Sequence, residues 1–136
     1  MRGIRSRLAA AAAGDAGSSP VEFVLVGTML TVLTLAVLQL GLAIHVRNVV
    51  HDAAVEGAYH AALADTPLDE GTRRTSEIIA RTVGAEYAAD VSVRESAELG
   101  HATVQITVRA TLPLAGLLGA PRLMEVTAHA PVESFD

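Results

Sequence analysis

The chain has no cysteine, no tryptophan and no lysine, and aromatic residues make up only 3% of its 136 positions. Without cysteine there can be no disulfide and no thiolate metal site, and the redox state of the compartment leaves no mark on the sequence. With so few aromatics, the 51% hydrophobic content is mainly alanine, valine and leucine, so any core must be light. A soluble part of roughly 90 residues then buries only a modest core. The ten basic residues are all arginine, which reads as genomic base composition and not as function. Charge is missing from one long stretch as well: from Phe23 to Ile44 there is no Asp, Glu, Lys or Arg, and Gln39 is the one strongly polar side chain. Those 22 residues at about 1.5 Å each give ~33 Å of helix, enough to cross a hydrocarbon core of about 30 Å. The run is too long for the apolar region of a secretory signal, and no Ala-x-Ala cleavage site follows directly after it.

What charge there is falls unevenly. Ahead of Gly17, Arg2, Arg5 and Arg7 face one acid, Asp15; from His45 to Asp136 seven arginines face thirteen acids. Short basic flanks stay in the cytoplasm, so the expectation is an N-terminus inside and an acidic domain outside. An acidic outer domain argues against nucleic acid or anionic lipid as its partner. The chain divides accordingly into a basic leader (1–17), a transmembrane helix (18–44) and an extracytoplasmic domain (45–136).

The domain reads as α+β. Helical spacing continues beyond the span to about Ala64, and Ala53, Gly57 and Ala61 line a face of small residues. Such a helix-packing face suits either the domain's own core or a neighbouring subunit's helix at close approach. Thr66-Pro67-Leu68-Asp69 then opens a second helix, with Thr66 as N-cap, Pro67 at the first helical position and Asp69 reaching back. Leu68, Ile79, Val83 and Tyr87 carry its apolar stripe to about Ala89, and Arg73, Arg74, Glu77, Arg81 and Glu86 its solvated face. From Val91 the period falls to two. Val91 and Val93 begin one strand and Gly100 turns the chain. Ala102, Val104, Ile106, Val108, Ala110 and Leu112 mark a second strand; Met124, Val126, Ala128 and Ala130 mark a third. The expected fold is thus one transmembrane helix extending into a domain with a second helix and about three antiparallel strands. Leu114, Leu117 and Leu118 lie in the connection between the last two strands, where they pack under the sheet, touch the bilayer or bind a partner.

Little here proposes chemistry. Asp52, Glu56 and His60 fall on one helical face beside His51, a spacing that a divalent metal could use and that an exposed polar face explains as well. There is no Gly-rich phosphate loop and no supported nucleophile set, so neither an active site nor a cofactor is expected, and no small-molecule substrate. His101 and His129 read as surface residues. Glu22 stands at the entrance to the span, where a charge is costly. As the fourth residue of Ser19-Pro20-Val21-Glu22 it can close a capping box on the Ser19 amide, favoured there by the helix dipole. Capping accounts for the glutamate but not for a basic leader, Gly17, Glu22 and an uncharged run in that order.

That order resembles the processing site of type IV pilin-like precursors. These carry a basic leader ending in Gly, a cut after the Gly, a Glu at the fifth mature position and an apolar helix that serves as anchor and assembly surface. Carried over, the cut falls between Gly17 and Ser18, and Glu22 becomes the fifth mature residue. Phe23 stands where the Flp pilin branch often has Tyr, a departure that points away from the major pilin. The span, the Arg47-to-Ala58 helix with its Asp-Ala-Ala-Val-Glu-Gly-Ala run, the second helix, the strands and the proline-bounded leucine connection together resemble TadE-like proteins. The resemblance covers residues 15–136 and implies a minor pilin-like (pseudopilin) component of the tight adherence (Flp) pilus assembly system. Its implied partners are the membrane, a prepilin peptidase, other pilin-like subunits and pilus assembly proteins, with Glu22 and Phe23 at the assembly surface. The alternative is an uncleaved, single-pass anchor that presents its outer domain to a protein partner.

Overall fold

A computed structural model of the chain describes residues 18–97, 100–112 and 123–133. The chain divides into two units, Met1–Leu38 and Gln39–Asp136. Helix α1 (Ser18–Ala62) supplies the described part of the first unit and opens the second.

In the first unit the side chains of α1 are exposed almost without exception, including Phe23, Leu25, Met29, Leu30 and Leu33. Among the described residues this is the one helix long and apolar enough to cross a membrane. A helix suits that medium because its backbone satisfies its own polar groups. Three threonines follow the same rule: the hydroxyls of Thr28, Thr31 and Thr34 donate to the carbonyls of Val24, Gly27 and Leu30, each at 2.8 Å. At the N-terminal end, Ser18 and Ser19 are already helical, so Ser19 is not the cap that the Ser-Pro-Val-Glu pattern predicts. Pro20 is the third described residue of the helix.

In the second unit α1 acquires a buried stripe, Ala43, Val46, Val50, Ala53, Ala54, Gly57, Ala58, Ala61 and Ala62, at three- and four-residue spacing. The helix stops at Ala62, and Asp65 takes a positive φ of 64° in the turn that follows. Helix α2 (Leu68–Thr82) starts one residue later than expected: Pro67, with φ −64° and ψ 143°, is the N-cap, and no side chain caps the helix. Thr66 therefore lies outside the cap position and Asp69 has no box to close. Asp69 and Glu70 still occupy the first turn, where the helix dipole favours acids.

Helix α2 also ends earlier than the predicted Ala89. The amides of Val83 and Gly84 both close on the carbonyl of Ile79, at 2.9 and 3.2 Å. Gly84 then adopts φ 125°, a conformation that L side chains rarely take. The chain is redirected into a short 3-10 turn, Ala85–Ala88. Val83 and Tyr87 nevertheless remain half-buried against the core, so the expected apolar stripe exists but runs over a helix and a 3-10 turn and not over one helix.

Three strands complete the unit: β1 (Asp90–Ser96), β2 (Thr103–Thr111) and β3 (Leu123–Pro131), antiparallel in the order β1-β2-β3. Gly100, at φ 85°, makes the turn between the first two. One sheet face supplies Val104, Ile106, Val108 and Ala110 from β2 and Met124, Val126, Ala128 and Ala130 from β3 to a core shared with α1 and Ile79 of α2. The architecture is therefore the expected α+β arrangement. Alternation alone leaves the polar residues of β2 outside, yet Thr103 and Gln105 are 1% and 6% exposed. As the central strand, β2 is flanked on both sides. Thr103 Oγ1 donates to the Ser96 carbonyl at 2.9 Å, and Arg94 Nε donates to Gln105 Oε1 at 2.6 Å.

Candidate functional site

The N-terminal end of α1 holds the residues that the sequence singles out. Ser18 Oγ donates to Glu22 Oε1 at 2.6 Å, a contact that one helical turn makes available between residues four apart. The capping partner expected for Glu22, the Ser19 amide, is replaced by this hydroxyl, because the helix already includes Ser18. Phe23 beside it is 80% exposed. Gly17 and the rest of the leader lie outside the described residues, as do Leu114, Leu117 and Leu118 of the leucine connection.

Ala53, Gly57 and Ala61 do form a packing face, and its occupant belongs to the same chain. An ideal Cβ built on Gly57 would lie 1.9 Å from Thr75 Oγ1 and 2.7 Å from the carbonyl oxygen of Gly71, both on α2. The same construction on Gly71 meets the Ala61 Cβ at 2.6 Å and the Gly57 carbonyl oxygen at 2.7 Å. Two glycines thus let α1 and α2 touch backbone to backbone. Thr75, fully buried, directs its hydroxyl to the carbonyls of Gly71 at 2.9 Å and Ala53 at 3.2 Å. Such an intrachain contact leaves no room on that face for a neighbouring subunit's helix. The pair Gly71 and Thr75 is not among the residues that periodicity singles out. Its signal was a glycine inside a helix with threonine four residues on, matching the small-residue spacing of α1.

The carboxylate and histidine ladder of α1 is dispersed among other contacts. Arg74 of α2 donates from Nε and Nη2 to Glu56 Oε1 at 3.0 and 2.5 Å. Asp52 lies 3.6 Å from Nδ1 of His51. His60 lines a shallow groove with Glu56, Tyr59, Leu63, Arg74 and Glu133. Among the described residues no three such side chains gather as a metal site.

On the outer face of the sheet, Arg109 of β2 donates from Nε to Glu125 Oε2 of β3 at 2.7 Å. That hydrogen bond, and then the charge of Glu125, hold the Arg109 guanidinium above its ordinary range. Thr107 and Thr127 approach through their hydroxyls at 3.4 Å. His129, expected at the surface, is half-buried, and its Nδ1 is buried without a hydrogen-bond partner. The strand period assigns a side but not a depth.

No curated protein and no solved structure matches the chain significantly. Residues 17–58 match the family model of TadE-like protein. The matched stretch takes in Glu22, the apolar run and Gly57, and accounts for the similarity to this family.

Proposed function

We propose that this chain is a minor pilin-like subunit of a tight-adherence pilus assembly system, with a structural and not a catalytic role. The observation that carries the reading is Glu22 at the head of an uncharged helical run, within a segment matched by the TadE-like family. In this reading the protein is single-pass, with its N-terminus in the cytoplasm and its α+β unit outside. A prepilin peptidase cuts between Gly17 and Ser18. The cut leaves an α-amine on Ser18, whose reference pKa of about 7.7–8.0 keeps it largely cationic at neutral pH. Ser18 and Glu22 already share a helical face through their 2.6 Å hydrogen bond, so an amine on Ser18 has a carboxylate within one turn. The same carboxylate can pair with the amine of an adjacent pilin-like subunit and fix helix register where surroundings are apolar.

N-terminal sequencing of the protein taken from its native membrane should give a mature start at Ser18, and Gly17→Ala should leave the leader attached. Retention of Met1–Gly17 in cells with an active prepilin peptidase would overturn the processed reading and favour an uncleaved anchor. Glu22→Ala should leave membrane insertion intact while co-purification with other pilus components falls several-fold. Undiminished co-purification would reduce Glu22 to a partner for the Ser18 hydroxyl.

A further inference from the structure

Within the second unit, the buried stripe of α1 starts before the uncharged run has ended. Ala43 and Val46 are already buried, while the run extends to Ile44. His45, Arg47 and Asn48, the first polar side chains after it, are exposed in the same turn. No stalk therefore separates the α+β packing from the last residues of the candidate span.

Two contacts fix which end of the sheet lies at that level. The Glu133 amide, just past β3, donates to the Ala62 carbonyl at 3.0 Å, at the far end of α1. Ile106 Cδ1 lies 3.0 Å from the ideal Cβ position of Gly57, further back along the helix. The other end of the β2–β3 pair, with Thr111, Leu112 and Leu123, is therefore the end toward Ile44. From Ile106 to Leu112 the strand covers at most ~20 Å, and from Gly57 back to Ile44 the helix covers about the same. That end of the sheet reaches the level of Ile44, or of Arg47 where the strands tilt on the helix. A hydrocarbon core of about 30 Å entered at Phe23 is left near Leu42, and the ~5–7 Å of headgroup region beyond it takes in both levels.

What this end presents is apolar. Leu123 is 84% exposed, more than Phe23 at the head of the run. The strand period places it on the outer face of the sheet, opposite in side to Met124 of the core. Between Arg109 and Arg122 the sequence has twelve residues without Asp, Glu, Lys or Arg. The first charges on the sheet beyond Leu123 are Glu125, Arg109 and Asp90, which share a row. Arg109 and Glu125 pair at 2.7 Å, as charges beside a medium of falling dielectric require.

We propose that the end of the sheet marked by Leu112 and Leu123 rests in the interface of the membrane that α1 crosses, with Leu123 among headgroups and upper acyl chains. Lipid is the occupant because the exposed side chains of α1 at this level, Leu42 and Ile44, are themselves at the edge of the hydrocarbon. Arg47 can lay its stem on that edge and hold its guanidinium among the phosphates. The α+β unit then stands on the bilayer and does not swing above it. The inference rests on α1 crossing a membrane and not on the pilus reading, and it stands if the leader is never cut.

The chain has no cysteine, so single cysteines can carry a nitroxide label. Leu33→Cys, Leu63→Cys, Thr111→Cys and Leu123→Cys all replace exposed side chains and spare the core. With the full chain reconstituted alone into phosphatidylcholine vesicles, access of oxygen, which concentrates in lipid, is compared with access of a water-soluble nickel chelate supplied on both sides. The oxygen-to-nickel ratio should be highest at Leu33. At Thr111 and Leu123 it should exceed by several-fold the ratio at Leu63, an exposed leucine just past the far end of α1. A high ratio at Leu33, with Thr111 and Leu123 no different from Leu63, would overturn the proposal and leave the span intact. A ratio at Leu33 as low as that at Leu63 would remove the span and the proposal with it. Poor access of both reagents to Leu123, with spin–spin broadening, would place a second copy there in lipid's stead and equally overturn it.

Discussion

Gly57→Ala should lower the melting temperature of the detergent-solubilised full chain by about 10 °C or more, on the scale of roughly 4–8 °C per kcal/mol for a domain of this size. The added methyl would sit 1.9 Å from Thr75 Oγ1 and 2.7 Å from the Gly71 carbonyl oxygen. The hydroxyl can swing away, but only by giving up its acceptors at Gly71 and Ala53, and an unmade hydrogen bond on a buried group costs about 1–3 kcal/mol. The carbonyl oxygen cannot move without shifting α2, and overpacking of that kind costs about 1–3 kcal/mol. The two effects act together, for an expected loss of about 2–6 kcal/mol. Gly41→Ala is the control, because a Cβ there meets nothing within 4 Å. That variant should match the parent or exceed it slightly, alanine being the better helix former by about 1 kcal/mol. Equal melting of both variants would mean that α1 and α2 are not in backbone contact. Combining Gly57→Ala with Thr75→Ala should cost less than the sum of the singles, since the hydroxyl clash is then gone and only the carbonyl remains.

Ile106→Ala should be of similar severity, at about 2–5 kcal/mol, and Ile106→Val should cost about 0.5–1.5 kcal/mol. Ile106 is fully buried at the centre of β2. Its Cδ1 lies 3.0 and 3.2 Å from the ideal Cβ positions of Gly57 and Gly71, so this one methyl fills the notch that two glycines open. The surroundings are poorly able to collapse into the space, because the helices above it already touch through their backbones. Thermal unfolding of the three proteins gives the check. An Ile106→Ala loss no larger than that of Ile106→Val would mean that the notch closes when it is emptied.

Periodicity made much of this fold legible. The uncharged run from Phe23, the small-residue face at Ala53, Gly57 and Ala61, and the change to a two-residue period at Val91 each correspond to an element that exists. What the sequence concealed depends on geometry across the chain. The end of α2 was hidden because Val83 and Tyr87 keep helical spacing, although Gly84 takes a φ that breaks the helix between them. Thr103 and Gln105 were hidden because alternation carries no information on which strand is central. Gly71 was hidden because a lone glycine in a helix gains meaning only when the opposing residue, here Gly57, is known. At the candidate site, the pairing of Ser18 with Glu22 follows from their four-residue spacing once the helix is known to begin at Ser18 or earlier. A local cap pattern one residue further on pointed elsewhere.

The hydroxyls of Thr28, Thr31 and Thr34, each closed on a carbonyl of its own helix, have a kinetic consequence. Between Val24 and Thr34 no side chain holds a hydrogen bond that must be broken and remade when the neighbours change. Sliding along the helix axis, or passage from one apolar environment to another, disrupts only dispersion contacts of about 0.1–0.2 kcal/mol apiece, which the next neighbour restores. This stretch of helix therefore meets a smooth potential, with low friction for axial and rotational displacement. Any stopping point along the path has to be set by groups outside it.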